Sequence, residues 1–227
     1  MHAWLIPLWV LVEVLAGLLV FVLCLATPFM NALLGRVARG ERPILLVHGF
    51  GMISGCMLVV GWRFARTGHR PVAVGFSSLR DLEHAAEKLA GRAAALALHT
   101  GVTRIDVVAH SVGGLVARTA RALPGGAAIG RIVTLGTPHR GEWWHTLPIG
   151  PLRLAMRAGR FGTGEADDLA ITSRADLIIR WSRATLDPPS RTLILDAAGH
   201  TGLLLDPRAH RAAIAHLAPP ALLAAPR

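Results

Sequence analysis

Hydrophobic positions divide the chain into two unlike parts. From Ala3 to Thr27 nearly every residue is apolar, so a helix formed by this run would have no polar face. The run is long enough to cross a bilayer, which takes about 20 helical residues. After residue 42, short apolar runs alternate with stretches of helical periodicity. The predicted organisation is a transmembrane anchor at 1–30, a basic linker at 31–42, one domain at 43–217 and a tail at 218–227.

The N-terminal run has two other interpretations. A secretory signal has a basic start and about 7–15 apolar residues, whereas only Met1 and His2 precede this longer run. A helix of the soluble domain would be expected to carry a polar face. Glu13 interrupts the run near its middle, and we expect it to lie near the membrane interface without a functional role, although an intramembrane acid often has one.

The second part predicts a doubly wound, mostly parallel α/β sheet. Its short runs of Val, Ile and Leu lack alternation, which is typical of strands covered on both faces. The predicted strands are Pro43–Val47, Val72–Gly75, Ile105–Ala109, Ile132–Leu135 and Thr192–Asp196. The predicted helices are Asp81–His99, Val112–Ala122, Asp176–Leu186 and Pro207–Leu217. Residues 141–170 fit no element well and are interpreted as a small cap or loop over a site at the carboxyl ends of the strands.

A tight strand–serine–helix turn is predicted around Ser111. The sequence Asp106-Val-Val-Ala-His-Ser-Val-Gly-Gly-Leu-Val-Ala-Arg118 runs from an apolar strand through the serine into a helix. Small residues must flank the serine in such a turn, and Ala109 and Gly113 meet that demand. The turn lifts the hydroxyl clear of the sheet, so we expect Ser111 to be a nucleophile rather than only a helix cap.

Two backbone N–H groups are candidates for an oxyanion hole. The tetrahedral oxyanion of acyl transfer needs preorganised donors. Val112 follows the serine at the helix N-terminus, and Phe50 lies in the loop after the first strand, within His48-Gly-Phe-Gly51. We expect their N–H groups to hold the oxyanion, and we expect His48 and His110 to have structural roles.

A serine nucleophile needs a base, and the base needs a carboxylate that holds its tautomer. Of eleven histidines, His200 is best placed, because it follows the strand Thr192–Asp196 through a short turn. Asp176 is preferred as the acid, because it follows a plausible short strand and lies between the serine and the histidine in chain order. The rival carboxylates are Asp167, Asp168, Asp187 and Asp196.

With these residues in hand, the chain resembles the small bacterial lipases of the α/β-hydrolase group that have Ala-x-Ser-x-Gly elbows. Four segments carry the resemblance: Val47-His-Gly-Phe-Gly51, Ala109-His-Ser-Val-Gly113, Leu135-Gly-Thr-Pro-His-Arg-Gly141 and Gly199-His-Thr-Gly-Leu-Leu204. Ser173–Asp176 also matches the acid loop of that family. The resemblance implies a triacylglycerol lipase-like carboxylic-ester hydrolase that forms an acyl-enzyme on lipid-like or small apolar esters, without a metal or organic cofactor.

Apolar side chains near the predicted site are candidates for substrate binding. They are Met52, Trp143, Trp144, Leu203 and Leu204, together with the Phe50 side chain. We expect them to form an acyl-chain pocket or an interfacial surface. The alternative is that the two tryptophans only pack the cap onto the sheet.

Charge and cysteine content bear on whether the protein binds nucleic acid or a metal ion and whether it contains a disulfide. The net charge of +10 comes almost entirely from arginine, with Lys88 the only lysine, and there is no basic block of five or more. Aromatic residues are not interleaved with basic ones, so a nucleic-acid partner is not predicted. Cys24 lies in the apolar run and Cys56 in the domain, so we expect no disulfide between them, and metal-ligand spacing is absent.

Other functions remain open on the sequence alone. An acyltransferase or thioesterase would use the same triad, and an inactive, membrane-anchored binding protein would use the same scaffold. The predicted location is a single-pass membrane protein, most simply of a bacterial inner membrane. Arg36, Arg39 and Arg42 follow the apolar run and place the domain in the cytoplasm by the positive-inside rule, whereas most lipases that it resembles act outside the cell, so the side is left open.

Overall fold

The computed structural model describes residues 6–25, 27–29, 37–76, 82–141 and 165–218, with the backbone alone for residues 6–8. Trp143, Trp144 and most of the predicted cap lie outside the described residues. Half of the predicted linker, 31–36, and all but the first residue of the tail lie outside them too. The predicted domain boundaries therefore stay predictions.

The described strands form one parallel sheet. They are β1 (Pro43–Val47), β2 (Arg70–Val74), β3 (Ile105–His110), β4 (Ile129–Leu135), β5 (Leu169–Ser173) and β6 (Arg191–Leu195), in the spatial order β2-β1-β3-β4-β5-β6. All five pairings are parallel. The chain reverses direction across the sheet after β2, so the loops that follow β1 and β3 meet at one edge, where a doubly wound sheet carries its site.

The described helices cover both faces of this sheet. They are α1 (Ile6–Cys24), α2 (Leu58–Ala65), α3 (Leu82–Thr100), α4 (Val112–Arg121) and α5 (Pro207–Leu217). Alternate residues of β1 serve the two faces: Leu45 packs in the cluster formed with α3 and α4, whereas Ile44 and Leu46 pack in the cluster that contains α2 and α5. This two-faced burial explains the strand runs without a polar position.

Two helices differ from the sequence prediction, and β5 begins at Leu169, within the range predicted for the cap. The helix predicted at Asp176–Leu186 is wrong: the chain turns at Asp176, whose side chain accepts hydrogen bonds from the N–H groups of two following residues, and only a short 3-10 turn forms at Trp181–Arg183. An aspartate that bonds the following backbone competes with helix formation. Helix α2 was not predicted, because its β-branched residues and Gly61 weaken the helical signal.

Helix α1 lies against the domain. Val20 is 2% exposed and belongs to the core cluster beneath α2 and α5. Just after the helix, the Thr27 hydroxyl accepts a hydrogen bond from the Gly55 N–H at 2.9 Å. Cys24 and Cys56 are neighbours, and both are free cysteines. Among residues whose side chains are described, no helix is both long enough and apolar enough to cross a membrane.

Candidate active site

Ser111 lies at a strained turn between β3 and α4. Its φ of 52° and ψ of −130° make it the one described residue other than glycine with positive φ, a backbone region that costs about 1–3 kcal/mol for an L-residue. The backbone is held by hydrogen bonds on both sides: its N–H donates to the Leu135 carbonyl at 2.8 Å, and its carbonyl accepts from the Thr137 hydroxyl at 2.7 Å. The strain is therefore offset by packing on β4.

Gly113 shows why the elbow requires small residues. A Cβ at this position would overlap the His48 carbonyl oxygen and lie 2.8 Å from that of Val47. Both atoms belong to the backbone at the end of β1 and cannot rotate away. Ala109, at the other flanking position, is fully buried and is accommodated with its methyl group, so the alanine in place of the usual glycine does not disturb the turn.

Three side chains from distant parts of the chain meet beside this turn. His200 Nε2 lies 3.0 Å from Ser111 Oγ, and His200 Nδ1 lies 2.8 Å from Asp176 Oδ2. Because a carboxylate oxygen only accepts, Nδ1 carries the proton and donates it to Asp176. Nε2 is then the acceptor for the serine hydroxyl. All three residues are buried, with 5–8% of their surface exposed.

Asp176 is held by its own loop after β5. Its Oδ1 accepts hydrogen bonds from the N–H groups of Ile178 at 2.9 Å and Ile179 at 2.7 Å, which leaves Oδ2 for His200. Each of these contacts stabilises the charged carboxylate. The aspartate is therefore fixed in orientation before any substrate binds.

Three rival carboxylates are engaged elsewhere. Asp168 forms a two-pronged ion pair with Arg121, Asp187 pairs with Arg140, and Asp196 pairs with Arg174. The fourth rival, Asp167, is exposed, and its carbonyl accepts a hydrogen bond from His216. Of the five candidates, Asp176 is the one that the structure brings to the His200 imidazole.

The two predicted oxyanion donors belong to the segments that follow β1 and β3. Val112 is the first residue of α4, and the N–H groups of a helix's first turn have no partner within the helix. Phe50 lies in the turn after β1, and the neighbouring Gly49 approaches so closely that a Cβ there would lie 2.9 Å from Ser111 Cβ. The two loops thus bring backbone next to the hydroxyl from two sides.

The chain is similar to known proteins over part or most of its length. A family profile described as the PGAP1-like alpha/beta domain matches residues 93–146, whereas no curated protein matches the sequence. Three solved structures superpose with TM-scores of 0.57–0.62. These are the mature lipase BlEst2 of Bacillus licheniformis (0.57, 15% identical, 74% of this chain and 89% of that one), Est1E of Butyrivibrio proteoclasticus (0.62, 14%, 80% and 90%) and XC6422 of Xanthomonas campestris, described as an a/b serine hydrolase without lid (0.60, 16%, 81% and 86%).

The chain has the α/β-hydrolase fold. The fold predicted from four short motifs is therefore confirmed. The family profile match at residues 93–146 includes β3, Ser111, α4 and β4. It therefore covers the strand–serine–helix turn but neither Asp176 nor His200.

Two further histidines beside the Ser111 turn have structural positions. His48 stacks on Phe76 with the ring centroids 4.1 Å apart, and its Nδ1 donates to the Gly49 carbonyl at 2.9 Å. His110 donates from Nε2 to the backbone carbonyl of His200 at 3.1 Å. Burial, with a smaller effect of the neighbouring His200, lowers the pKa of His110 to about 3. His110 is therefore neutral, and its hydrogen bond holds the backbone of His200 in place.

The predicted substrate-binding residues are only partly accounted for. Leu203 and Leu204 are fully buried in the core cluster shared with α2 and α5, so the structure does not bring them to the surface of the site. Met52 is half-buried against the same cluster, and the Phe50 side chain is 41% exposed. Trp143 and Trp144 lie outside the described residues, so an acyl pocket stays a prediction.

Sequence reasoning missed two contacts of the His200 loop. His110 was expected to have a structural role, but its hydrogen bond to the His200 carbonyl was not predicted. Glu13 was expected to have no function, yet its carboxylate accepts a hydrogen bond from the Thr201 N–H. An acid within an otherwise apolar helix was the signal for the second contact, because such an acid must find a partner when it is removed from water.

Acid is expected to destabilise this protein below pH 6.5. His48, His69, His110 and His210 are all less than 5% exposed, burial lowers each pKa below the usual 6.5, and each has one ring nitrogen without a partner among the described residues. The unfolded chain therefore binds more protons than the folded one between pH 6.5 and 3, and stability falls as the pH falls. His110 alone should cost about 2–3 kcal/mol at pH 4.5, at 1.36 kcal/mol per pH unit.

Urea unfolding at pH 7.5, 6.0 and 4.5 measures this loss. A His110→Gln variant carries an amide that does not titrate, so it should lose less stability on acidification, whatever its stability at pH 7.5. Equal stability of the unsubstituted protein at pH 7.5 and 4.5 would contradict the assignment of these histidines as buried and neutral.

Proposed function

We propose that this protein is a serine hydrolase that cleaves carboxylic esters through an acyl-enzyme. The observation that carries the proposal is the continuous hydrogen-bonded chain from Asp176 through His200 to Ser111. A buried hydroxyl aligned with a histidine whose other nitrogen is bonded to a carboxylate is the arrangement that generates a serine nucleophile.

The reaction follows from the roles of these atoms. His200 Nε2 takes the hydroxyl proton as Ser111 Oγ bonds to the ester carbonyl carbon, and the negative charge moves to the carbonyl oxygen. The N–H groups of Phe50 and Val112 stabilise that oxyanion, and Asp176 stabilises the imidazolium. Collapse of the intermediate breaks the carbon–oxygen bond, and His200 gives its proton to the departing alcohol. Water, deprotonated by His200, then releases the acid and restores Ser111.

The proposed substrates are lipid-like or small apolar esters. Exposed apolar side chains at the loop after β1, Phe50 at 41% and Ile53 at 49%, support an apolar acyl group. Hydrolysis rates on p-nitrophenyl acetate, butyrate, octanoate and palmitate test the acyl-chain length. A sharp fall beyond butyrate would reject the lipase-like form of the proposal and leave an esterase for short acyl chains.

Covalent labelling tests the nucleophile itself. A fluorophosphonate probe phosphonylates an activated serine, and we expect peptide mass spectrometry to locate the adduct on Ser111. Ser54 is the matched internal control, because it is 8% exposed, like Ser111, but belongs to the turn at Ser54–Met57 rather than to the strained turn before α4. Labelling of neither serine by the folded protein would refute the proposal, and equal labelling of both would show that the probe reports access rather than activation.

We further propose that the outward face of α1 attaches the enzyme to a lipid membrane. Leu11, Leu15, Leu18, Phe21 and Val22 each expose about half or more of their surface, and the outward face between positions 10 and 25 carries no charged residue. Contiguous exposed apolar side chains of this extent are typical of surfaces that meet a membrane or a partner. A predicted lipid-like substrate and the absence of charge favour lipid.

Vesicle flotation in 0.5 M NaCl tests this attachment with screened arginine charges. Combined Leu18→Ser and Phe21→Ser substitutions should lower the bound fraction at least tenfold, since each side chain contributes about 1.5–3 kcal/mol when buried. Leu98→Ser on α3 is the matched control, because Leu98 is 88% exposed on a different helix. Equal binding by the double variant and the control would overturn the proposal.

A further inference from the structure

Helix α1 contacts the catalytic domain through one stripe of its surface. Positions three or four residues apart are less exposed than their neighbours. Val20 is buried, and the half-buried positions are Trp9, Glu13, Ala16, Gly17, Leu23 and Cys24. The stripe faces the turn at Ser54–Met57 and the turn at Gly202–Leu204. The second of these turns directly follows the proposed catalytic base.

Glu13 is the point at which this stripe reaches the His200 loop. Its carboxylate accepts hydrogen bonds from the Thr201 N–H and, at 3.4 Å, from the Gly202 N–H. The contact is so close that a Cβ on Gly199 would overlap the Glu13 carboxylate. Thus the residues on both sides of His200 are in contact with one side chain, which comes from a helix more than 180 positions earlier in the chain.

The peptide unit between His200 and Thr201 is held from both ends. Its carbonyl oxygen accepts from His110 Nε2 at 3.1 Å, and its N–H donates to Glu13. The direction of the imidazole depends on the backbone that carries it, and proton transfer depends on the 3.0 Å separation between His200 Nε2 and Ser111 Oγ. Displacement by about 1 Å of a reacting group can lower a rate on the order of a hundredfold.

We propose that Glu13 is a positioning residue for His200, so that α1 completes the active site in addition to attaching the enzyme to lipid. The inference rests on the proposed ester hydrolysis, because it concerns the geometry of that base. It also explains why one carboxylate interrupts an apolar helix: the two backbone N–H groups of the His200 loop give it partners that a lipid-facing position would not.

Kinetics of Glu13 variants test the inference. Glu13→Leu removes the acceptor, so kcat should fall about 10- to 100-fold, while KM for a short p-nitrophenyl ester changes less than twofold because Glu13 does not face the substrate. The rate of fluorophosphonate labelling should fall by the same factor as kcat. Glu13→Gln keeps an amide oxygen that accepts from the Thr201 N–H, so it should retain at least a third of the activity.

Val20→Ala is the matched control on the same stripe. It removes buried methyl groups of α1 without touching the His200 loop, so it should lower the melting temperature but leave kcat within twofold. If Glu13→Leu and Val20→Ala lower kcat equally, or if Glu13→Gln is as slow as Glu13→Leu, the positioning role is rejected and α1 only contributes stability.

A crosslink separates loss of the Glu13 contact from undocking of the helix. Cys24 and Cys56 are neighbouring free cysteines, and 4,4′-dithiodipyridine can join them. The first thiol attacks the reagent and releases one pyridinethione, and the second thiol attacks the mixed disulfide and releases the other, so that one protein disulfide and two pyridinethiones result. Both Glu13→Leu and the unsubstituted protein are assayed in this crosslinked form, in which α1 is held on the domain. A tenfold lower kcat for crosslinked Glu13→Leu supports the proposal, whereas equal rates overturn it.

The same series distinguishes this inference from the proposed function. If the unsubstituted protein labels at Ser111 and Glu13→Leu labels equally fast, the positioning role fails and the serine hydrolase stands. If the unsubstituted protein neither labels nor hydrolyses esters, both proposals fail together.

Discussion

Replacing Ser111 with alanine is expected to lower kcat for ester hydrolysis on the order of a millionfold, by analogy with other serine triads. The Oγ atom is the group that forms the acyl-enzyme, and His200 and Asp176 have no substitute for it within hydrogen-bond reach among the described residues. What remains should come from the oxyanion donors and from substrate binding. The measurement is kcat on p-nitrophenyl butyrate, with protein concentration set by amino-acid analysis.

Ser54→Ala is the control for this substitution. It removes a hydroxyl that is as buried as that of Ser111, so it should cost stability without changing kcat more than about twofold. Alanine at position 111 also leaves the backbone strain at φ 52° in place, so its circular dichroism and melting temperature should stay close to those of the unsubstituted protein. Undiminished hydrolysis by a folded Ser111→Ala variant would contradict the proposed mechanism.

The parts of this molecule that sequence predicts well are those governed by local constraints. Strand β1 begins and ends at the predicted residues, because a run of five apolar residues between polar ones is typical of a buried strand. The elbow is also local: a strand, one strained residue and a helix leave room only for small neighbours, and Gly113 touches the β1 backbone. Such requirements can be recognised in the amino-acid sequence alone.

The parts that sequence predicts poorly depend on side chains that meet from far apart. Leu177 and Ile178 suggest a helix by their apolar character, yet both are 48% exposed, because the Asp176 carboxylate bonds the following N–H groups and ends regular structure there. The choice of Asp176 over Asp168 is likewise decided by Arg121, which occupies the latter. Neither competition can be seen in the local pattern.

Helix α1 is the clearest example of this limit. Its composition predicts an anchor that is independent of the domain, since apolar residues lie on every side. The described structure instead seats one stripe of α1 on the core and leaves the other sides exposed. Apolar residues of α1 thus lie both against the core and on the exposed surface. Only the position of Glu13 within the helix indicates which side faces the domain.

Replacing Asp176 with asparagine is expected to lower kcat on the order of ten-thousandfold, for a reason that the geometry of its loop supplies. Oδ1 accepts from the N–H groups of Ile178 and Ile179, so the amide oxygen of asparagine must occupy that place. The amide NH₂ then faces His200 Nδ1, where the carboxylate now accepts at 2.8 Å. A donor at that point forces Nδ1 to become an acceptor, and the imidazole proton moves to Nε2.

With the proton on Nε2, His200 donates toward Ser111 and can no longer accept the hydroxyl proton, so nucleophile activation stops although every heavy atom keeps its place. Asp168→Asn is the control, because it weakens a buried ion pair with Arg121 far from the base and should lower stability rather than kcat. Asp176→Asn is expected to change the position of the imidazole proton and not the fold. Its melting temperature should therefore change by only a few degrees, whereas kcat should fall steeply. A loss of kcat below tenfold would show that His200 keeps its tautomer without this carboxylate, and the acid would then have to be sought elsewhere.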